Sequence, residues 1–154
     1  PIPVNWATII DLNPDAFVGL SLPFEISNNG DFQKTKTLIE QTRSNIKNLL
    51  LTAKGERPMH PTFGSNLRAV LFEPFTGDIS DKVEGAIVEA IEEWLPHVSL
   101  DDMKINQKPT SPNQVDVELK FSLSYDPSNT EEIVLYNLAA NSDIAEGFEG
   151  TGDI

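Results

Sequence analysis

Two carboxylates, Glu56 and Glu73, and one serine, Ser65, stand in a single stretch of the chain that also holds His60, one of its two histidines. Paired carboxyls are what glycoside hydrolysis requires: one kept protonated to serve the leaving oxygen, the other ionised across a cleft. The spacing of Glu56 and Glu73 does not mark them as such a pair. Glu73 precedes a proline, and Arg57 beside Glu56 favours a charged carboxylate, the opposite of a proton donor. Ser65 has no neighbouring base and reads as a helix cap. His60, flanked by Pro58 and Pro61, reads as a surface residue or a hydrogen-bonding strut. There is no phosphate-binding glycine loop, no Gly-x-Ser-x-Gly elbow and no His-Glu-x-x-His. The chain has no cysteine, which excludes disulfides and thiolate chemistry, and its two histidines are far apart. No metal, no cofactor and no catalytic residue is expected.

The elements that carry these residues can be read from periodicity. Leu20, Leu22, Phe24 and Ile26 alternate like a strand, which Pro23 demotes to an edge or a strap, and Asn28–Asp31 is a turn. A first helix begins near Thr35 or Thr37, with Thr37 and Glu40 at capping-box spacing. Its apolar stripe is Ile39, Ile46, Leu49 and Leu50, with Arg43, Lys47 and Lys54 outside it, and Gly55 is placed to end it in a left-handed turn. A short helix follows through Leu67, Val70 and Leu71, stopped by Pro74. The next runs from about Ile79 to Leu95, capped by Asp78 or Ser80, with an apolar stripe from Ile79 to Leu95 and Glu84, Glu89, Glu92 and Glu93 on its other face. Beyond Pro96 the period becomes two. Val98 and Leu100, extended by Met103 and Ile105, make one strand. Val115 to Tyr125 make the clearest one, half buried, after a loop at Pro109–Asn113. Asp126–Asn129 is a turn, and Glu132–Ala139 a third strand. That strand is apolar on both faces (Ile133 and Leu135; Val134, Tyr136 and Leu138), so it calls for an extra cover. The expected class is α+β, with two main helices on a small antiparallel sheet and extended arms at both ends. The expected division is an N-terminal arm over residues 1–16, a domain over 17–139, and an acidic, Gly-rich arm over 140–154 that has little to bury on its own.

Composition narrows the partners. The 154 residues suit one domain, the net charge is −13 with a pI near 4.4, and neither a nucleic-acid footprint nor binding to an anionic membrane fits that balance. No apolar run approaches the ~20 residues that span a bilayer, and the first residues lack the regions of a signal peptide, so the expectation is a protein kept in the cytoplasm until assembly or release. The charge is uneven. Residues 34–68 hold seven basic and two acidic side chains, leaving −18 on the rest. One basic face on an acidic body reads as an oriented docking surface for a protein.

The stretch from Asn48 to Pro74 has no generic reason to exist. Leu50, Leu51, Thr52, Gly55, Glu56, Arg57, Pro61, Phe63, Gly64, Leu67, Leu71, Phe72 and Pro74 stand at fixed spacing. This pattern resembles the signature of the lysozyme-like baseplate-wedge family of contractile tails, the sheath initiators. Trp94-Leu95-Pro96-His97 is a second landmark. Many members of that family read Trp-Glu-Pro-Arg at this helix-to-strand corner, which is associated with docking on the helical core bundle of the wedge. Here Leu95 replaces the carboxylate and His97 the guanidinium, so the corner keeps its proline but loses the ion pair.

The resemblance covers residues 18–138. It implies a structural, non-enzymatic protein of the phage tail baseplate, present in sixfold copies in the virion and assembled in the host cytoplasm. It would link the wedge core to the first sheath ring. Its sheet would resemble the sheath subunit's own handshake fold and accept extended sheath arms by strand addition. The same physics fits a type VI secretion or tailocin baseplate, and the family's label keeps a peptidoglycan hydrolase as an alternative of another class. Gly55, Pro61, Phe63, Gly64, Phe72 and Pro74 are expected to shape the motif. Glu56, Arg57, Met59, Trp94, Leu95, Pro96, His97, Ile133 and Leu135 are expected to meet partners.

Overall fold

The computed structural model describes residues 11–13, 15–22, 24–73, 79–108 and 111–139, and the side chains of all of these except 107, 108, 111–113 and 136–139. The chain is α+β. Helix α1 spans Leu38–Leu51, α2 Leu67–Phe72 and α3 Ile79–Trp94. Strands β1 (Gly19–Leu20) and β2 (Lys34–Thr35) form a short antiparallel ribbon, while β3 (Val98–Lys108), β4 (Ser111–Leu123) and β5 (Asp126–Ala139) form an antiparallel meander with β4 in the middle.

The start of α1 is over-determined. The Thr37 hydroxyl accepts the Glu40 N–H, and the Glu40 carboxylate accepts the N–H groups of Thr37 and Lys36, closing the capping box. Asp11 accepts the Leu38 N–H at 2.8 Å, another donor that the helix cannot satisfy by itself. The helix ends earlier than expected. Thr52 is its extended C-cap, and Gly55 takes its positive φ of 90° further on, inside the following loop.

Strand β4 is the spine of the core. Val115, Val117, Leu119, Phe121 and Leu123, every second residue, are buried, and they meet Ile46, Leu49 and Leu50 of α1, Leu67 and Leu71 of α2 and the Ile79–Ile91 stripe of α3 in one cluster. Alternation through β3 changes phase between Leu100 and Met103, a step of three residues, and there the register shifts from Leu100–Phe121 to Asp102–Lys120. The extra residue, Asp101, accepts a hydrogen bond from the Ser122 hydroxyl across the bulge.

Both sheet connections are shorter than the turn residues suggested. The Pro109–Asn113 loop shrinks to residues 109–110, since Ser111 already pairs with Lys108. Asp126–Asn129 belongs to β5, with Leu123 paired to Asp126 across a two-residue turn at Ser124-Tyr125. An outer strand tolerates Pro127, whose missing N–H would break a central ladder.

The Leu20–Ile26 alternation does not make a strand of that length. The segment is a strap folded on itself, with Ile26 bridging Phe32 and Ser27 N–H bonding Asp31 across the expected turn. Of the terminal arms, most of residues 1–16 and all of 140–154 lie outside the described residues, as do Pro74 and the expected cap Asp78.

Candidate functional site

The loop that joins α1 to α2, Thr52 to Asn66, is a closed structure. Gly55 N–H donates to the Pro61 carbonyl at 2.7 Å, His60 N–H to Arg57, and Phe63 N–H to His60. Ala53 and Ser65 form a parallel bridge across the loop's neck, with Ser65 N–H on the Thr52 carbonyl at 2.9 Å. Gly64 sits at that neck with φ 122°, and a Cβ there would lie 2.5 Å from the Thr52 carbonyl oxygen. Only glycine lets the two backbones approach so closely.

Ser65 does not cap α2, contrary to the sequence expectation. Its hydroxyl is buried and donates to the Leu50 carbonyl at 2.9 Å, while Asn66 holds the cap position without a side-chain bond. The serine therefore serves the carbonyl end of α1, which lacks partners of its own, and not the amide end of α2.

Glu56 turns back on its own loop. Its carboxylate accepts the Ala53 N–H at 2.9 Å, bracing the loop. Arg57 donates to the Asn48 side chain at 3.1 Å and lies 4.1 Å over the ring of Phe63. Phe63 in turn packs edge-on against Trp94, with ring centroids 5.2 Å apart. Residues from the loop and from the end of α3 are thus stacked as guanidinium, phenyl and indole. A second tie is the Lys54–Glu89 ion pair at 2.8 Å, whose carboxylate raises the Lys54 pKa. A third joins Lys82 of α3 to Glu73 after α2.

The corner after α3 is equally fixed. Leu95 N–H continues the helix to Ile91, and Val98 N–H bonds Leu95. The His97 carbonyl accepts both the N–H and the hydroxyl of Ser124 in the turn between β4 and β5. Met59, Pro96 and His97 remain exposed, Met59 at 89%, and Trp94 and Leu95 are half buried. Loop and corner therefore make one rigid surface of exposed apolar, imidazole and guanidinium groups.

The two strand residues do not join it. Ile133 and Leu135 are 0% and 3% exposed, on the core face of β5. This corrects the expectation that their side chains meet a partner, because the strand's pleat turns them under α1 and α2. Val134, on the opposite face, is also buried, so the strand is covered on both sides there as its composition demands. Phe72, expected to shape the motif, is exposed. Sequence reasoning missed Asn48, which accepts from Arg57, and Glu89, which pairs with Lys54, as partners of the loop. Both lie on helix faces where any polar residue would fit, so composition gave no signal.

The residues of the loop and the corner lie within one match. The model of the family described as baseplate wedge protein gp25 matches residues 36–131. The chain belongs to this family. It is 30% identical over 104 residues to the baseplate wedge protein gp25 of Enterobacteria phage T4, covering 67% of this chain and 77% of that one. Solved structures share the fold. One from Geobacter sulfurreducens, described as a tail lysozyme, aligns with a TM-score of 0.61 and 19% identity over 71% of this chain and 96% of its own. Another is a chain of the anti-feeding prophage baseplate, sixfold symmetrised, with a TM-score of 0.59 and 21% identity over 68% and 83%. As a gp25-family member the protein is a structural component of a contractile-tail baseplate, in a phage tail or a related particle.

Proposed function

We propose that this gp25-family chain is a non-enzymatic joint. It docks on the helical core bundle of the wedge, stands in sixfold copies, and presents its sheet to the first ring of sheath subunits, whose register it templates. It would act in the virion after assembly in the host cytoplasm. The observation that carries the reading is the Phe63–Trp94 contact, which brings the two sequence landmarks, loop and corner, onto one rigid surface. Rigidity matters because a surface already ordered loses little entropy on docking. With Leu95 and His97 at the corner, docking there rests on apolar contact and on Met59, with Arg57 as the nearby cation.

The sheet supports the second half. β3 and β5 are outer strands of the meander, and a sheath arm can add to the backbone of either. The burial of Ile133 and Leu135 leaves the backbone edge of β5, and not those side chains, as the contact. On this reading the arms available for exchange are residues 1–16 and 140–154. The same mechanism serves a type VI secretion or tailocin baseplate, and neighbouring genes decide which particle this is.

Both candidate carboxylates have structural partners, Glu56 in its own loop and Glu73 on Lys82, which favours the non-enzymatic reading. Coelution with the sheath subunit or the large wedge protein on a sizing column is expected. Clearing of cell walls by the wild type, lost in Glu56→Gln or Glu73→Gln, would overturn the assignment in favour of a hydrolase.

A further inference from the structure

The ribbon packs on α1 and α1 on β5, whereas α3 packs on β3, the outer strand at the other edge of the meander. Each side carries an uncovered surface, and the two have opposite charge. On the ribbon, Phe32, Lys34 and Lys36 stand two residues apart and are exposed, while Thr35 between the lysines is buried. Lys34 lies 5.0 Å over the ring of Phe17, and Phe24 stands edge-on to Phe32 at 5.8 Å. All three rings are more than half exposed, a patch of the kind that marks a contact. Lys34 has the exposed Asp31 at 4.0 Å, a pair of little strength, and the Lys36 ammonium has no ion-pair partner among the described residues. The face therefore offers phenyl rings interleaved with cations.

The complementary surface is a cleft of about 580 Å³ between α3 and β3. Val88, Leu100 and Met103 give it a half-buried apolar floor, and the carboxylates of Glu84, Glu92, Asp101 and Asp102 rim it. Asp101 accepts the Ser122 hydroxyl, and among the described residues none of the four pairs with a cation. Within one chain the ribbon and this cleft lie across the sheet from each other. We propose that the ribbon of one copy docks in the α3–β3 cleft of a second copy, Lys34 and Lys36 against the rim and Phe24 and Phe32 on the floor. Apolar burial supplies affinity, and charge sets the partner and its orientation. The contact joins two different surfaces, so it is head-to-tail, and repeated about an axis it closes into a ring. Each copy carries −13, and that long-range repulsion is screened beyond about 8 Å at about 0.15 M salt, while close pairs inside the cleft are screened less. The contact adds to the docking proposed above and does not depend on it.

Charge reversal on each side tests it. One variant of the full chain reverses the ribbon (Lys34→Glu with Lys36→Glu), and another reverses the cleft (Glu92→Lys with Asp102→Lys). All four side chains are exposed, so both variants are expected to keep the wild-type melting temperature. In sedimentation equilibrium at about 0.15 M salt, with chain up to about 1 mM, the wild type is expected to exceed the monomer mass. Each variant alone sets like charges against each other and should associate at least about tenfold more weakly. An equal mixture of the two restores opposite charges between chains, and association should return. The four substitutions together in one chain should restore it as well. A wild type that stays monomeric overturns the inference, and so does a variant that associates by itself as the wild type does, which would place like surfaces together. Failure of both the mixture and the fourfold variant to associate also overturns it, since the ribbon and the cleft would then not be each other's partners.

Discussion

The loop between α1 and α2 and the ribbon before α1 are both irregular, yet they are held in different ways. The loop satisfies its backbone within itself and stacks Arg57 on Phe63 and Phe63 on Trp94. The ribbon also closes its backbone on itself, through Val18 N–H to Thr35, Ser21 N–H to Gln33 and Gln33 N–H to Glu25, but it is tied to α1 by single polar contacts: Thr35 donates to the Gln41 side chain, Ser44 accepts the Leu22 N–H, and Lys47 donates to the Leu22 carbonyl. One region spends its polar groups on rigidity. The other uses a buried cation to hold a strap and leaves Phe17, Phe24, Ile26 and Phe32 in water. A stacked, hydrogen-bonded surface suits a fixed joint, and exposed aromatic side chains suit an apolar contact.

Gly64→Ala breaks the comparison most strongly. The added Cβ meets backbone at 2.5 Å and the φ of 122° is strained for any other residue, so a loss of about 3 kcal/mol is expected in urea unfolding. Gly55→Ala is its control: φ is 90° but nothing lies within 4 Å, and about 1 kcal/mol is expected. Equal losses at the two positions would mean that the loop's neck is not closed as described.

On the ribbon side, Lys47→Met tests the buried cation. The folded-state pKa, about 7, lies below the unfolded value, so between them the unfolded chain binds more protons and stability rises with pH. Wild type should therefore gain stability from pH 7 to pH 9, and the variant should lack that gain. At pH 7 the variant should be more stable by about 1–2 kcal/mol, the desolvation removed outweighing the lost bond to Leu22. A parallel pH dependence of the two proteins would show that Lys47 is not desolvated.

The core was legible in the sequence because burial imposes a period. The Val115–Leu123 alternation, the α3 stripe and the Thr37–Glu40 capping box are all present. The same stripe reading placed Lys47 on an outer face of α1. That face is covered by the ribbon, an element whose contact with α1 is long-range and leaves no periodic trace. The motif residues of the loop were recognisable by spacing, but their roles were not. Ser65 and Glu56 serve backbone groups next to them in space, and a side chain's choice between two nearby acceptors or donors is not encoded in residue type. The short turns beside β4 were misplaced for a related reason: Asp126–Asn129 and Pro109–Asn113 have turn composition, but strand pairing with β4 extended β5 through the first and started β4 within the second.

Arg57→Ala sharpens the contrast at smaller scale. The guanidinium is exposed, so losing its contacts with Phe63 and Asn48 should cost about 0.5–1 kcal/mol while the fold persists, and coelution with the wedge protein should weaken by far more than stability does. A large fall in melting temperature would make Arg57 part of the frame and remove it from the docking surface.

Phe24→Ser is expected to change least. The ring is 63% exposed and its main described partner is the equally exposed Phe32, so unfolding free energy should move by no more than about 0.5 kcal/mol. The prediction matters because of what it separates. A residue that stabilises the ribbon would cost more when polar, whereas one kept for contact is silent in the isolated chain. If Phe24→Ser unfolds the ribbon, seen as loss of the Val18–Thr35 and Ser21–Gln33 amide protection, the strap is a folded unit of its own, and its aromatic residues are core in miniature, not a surface awaiting an occupant.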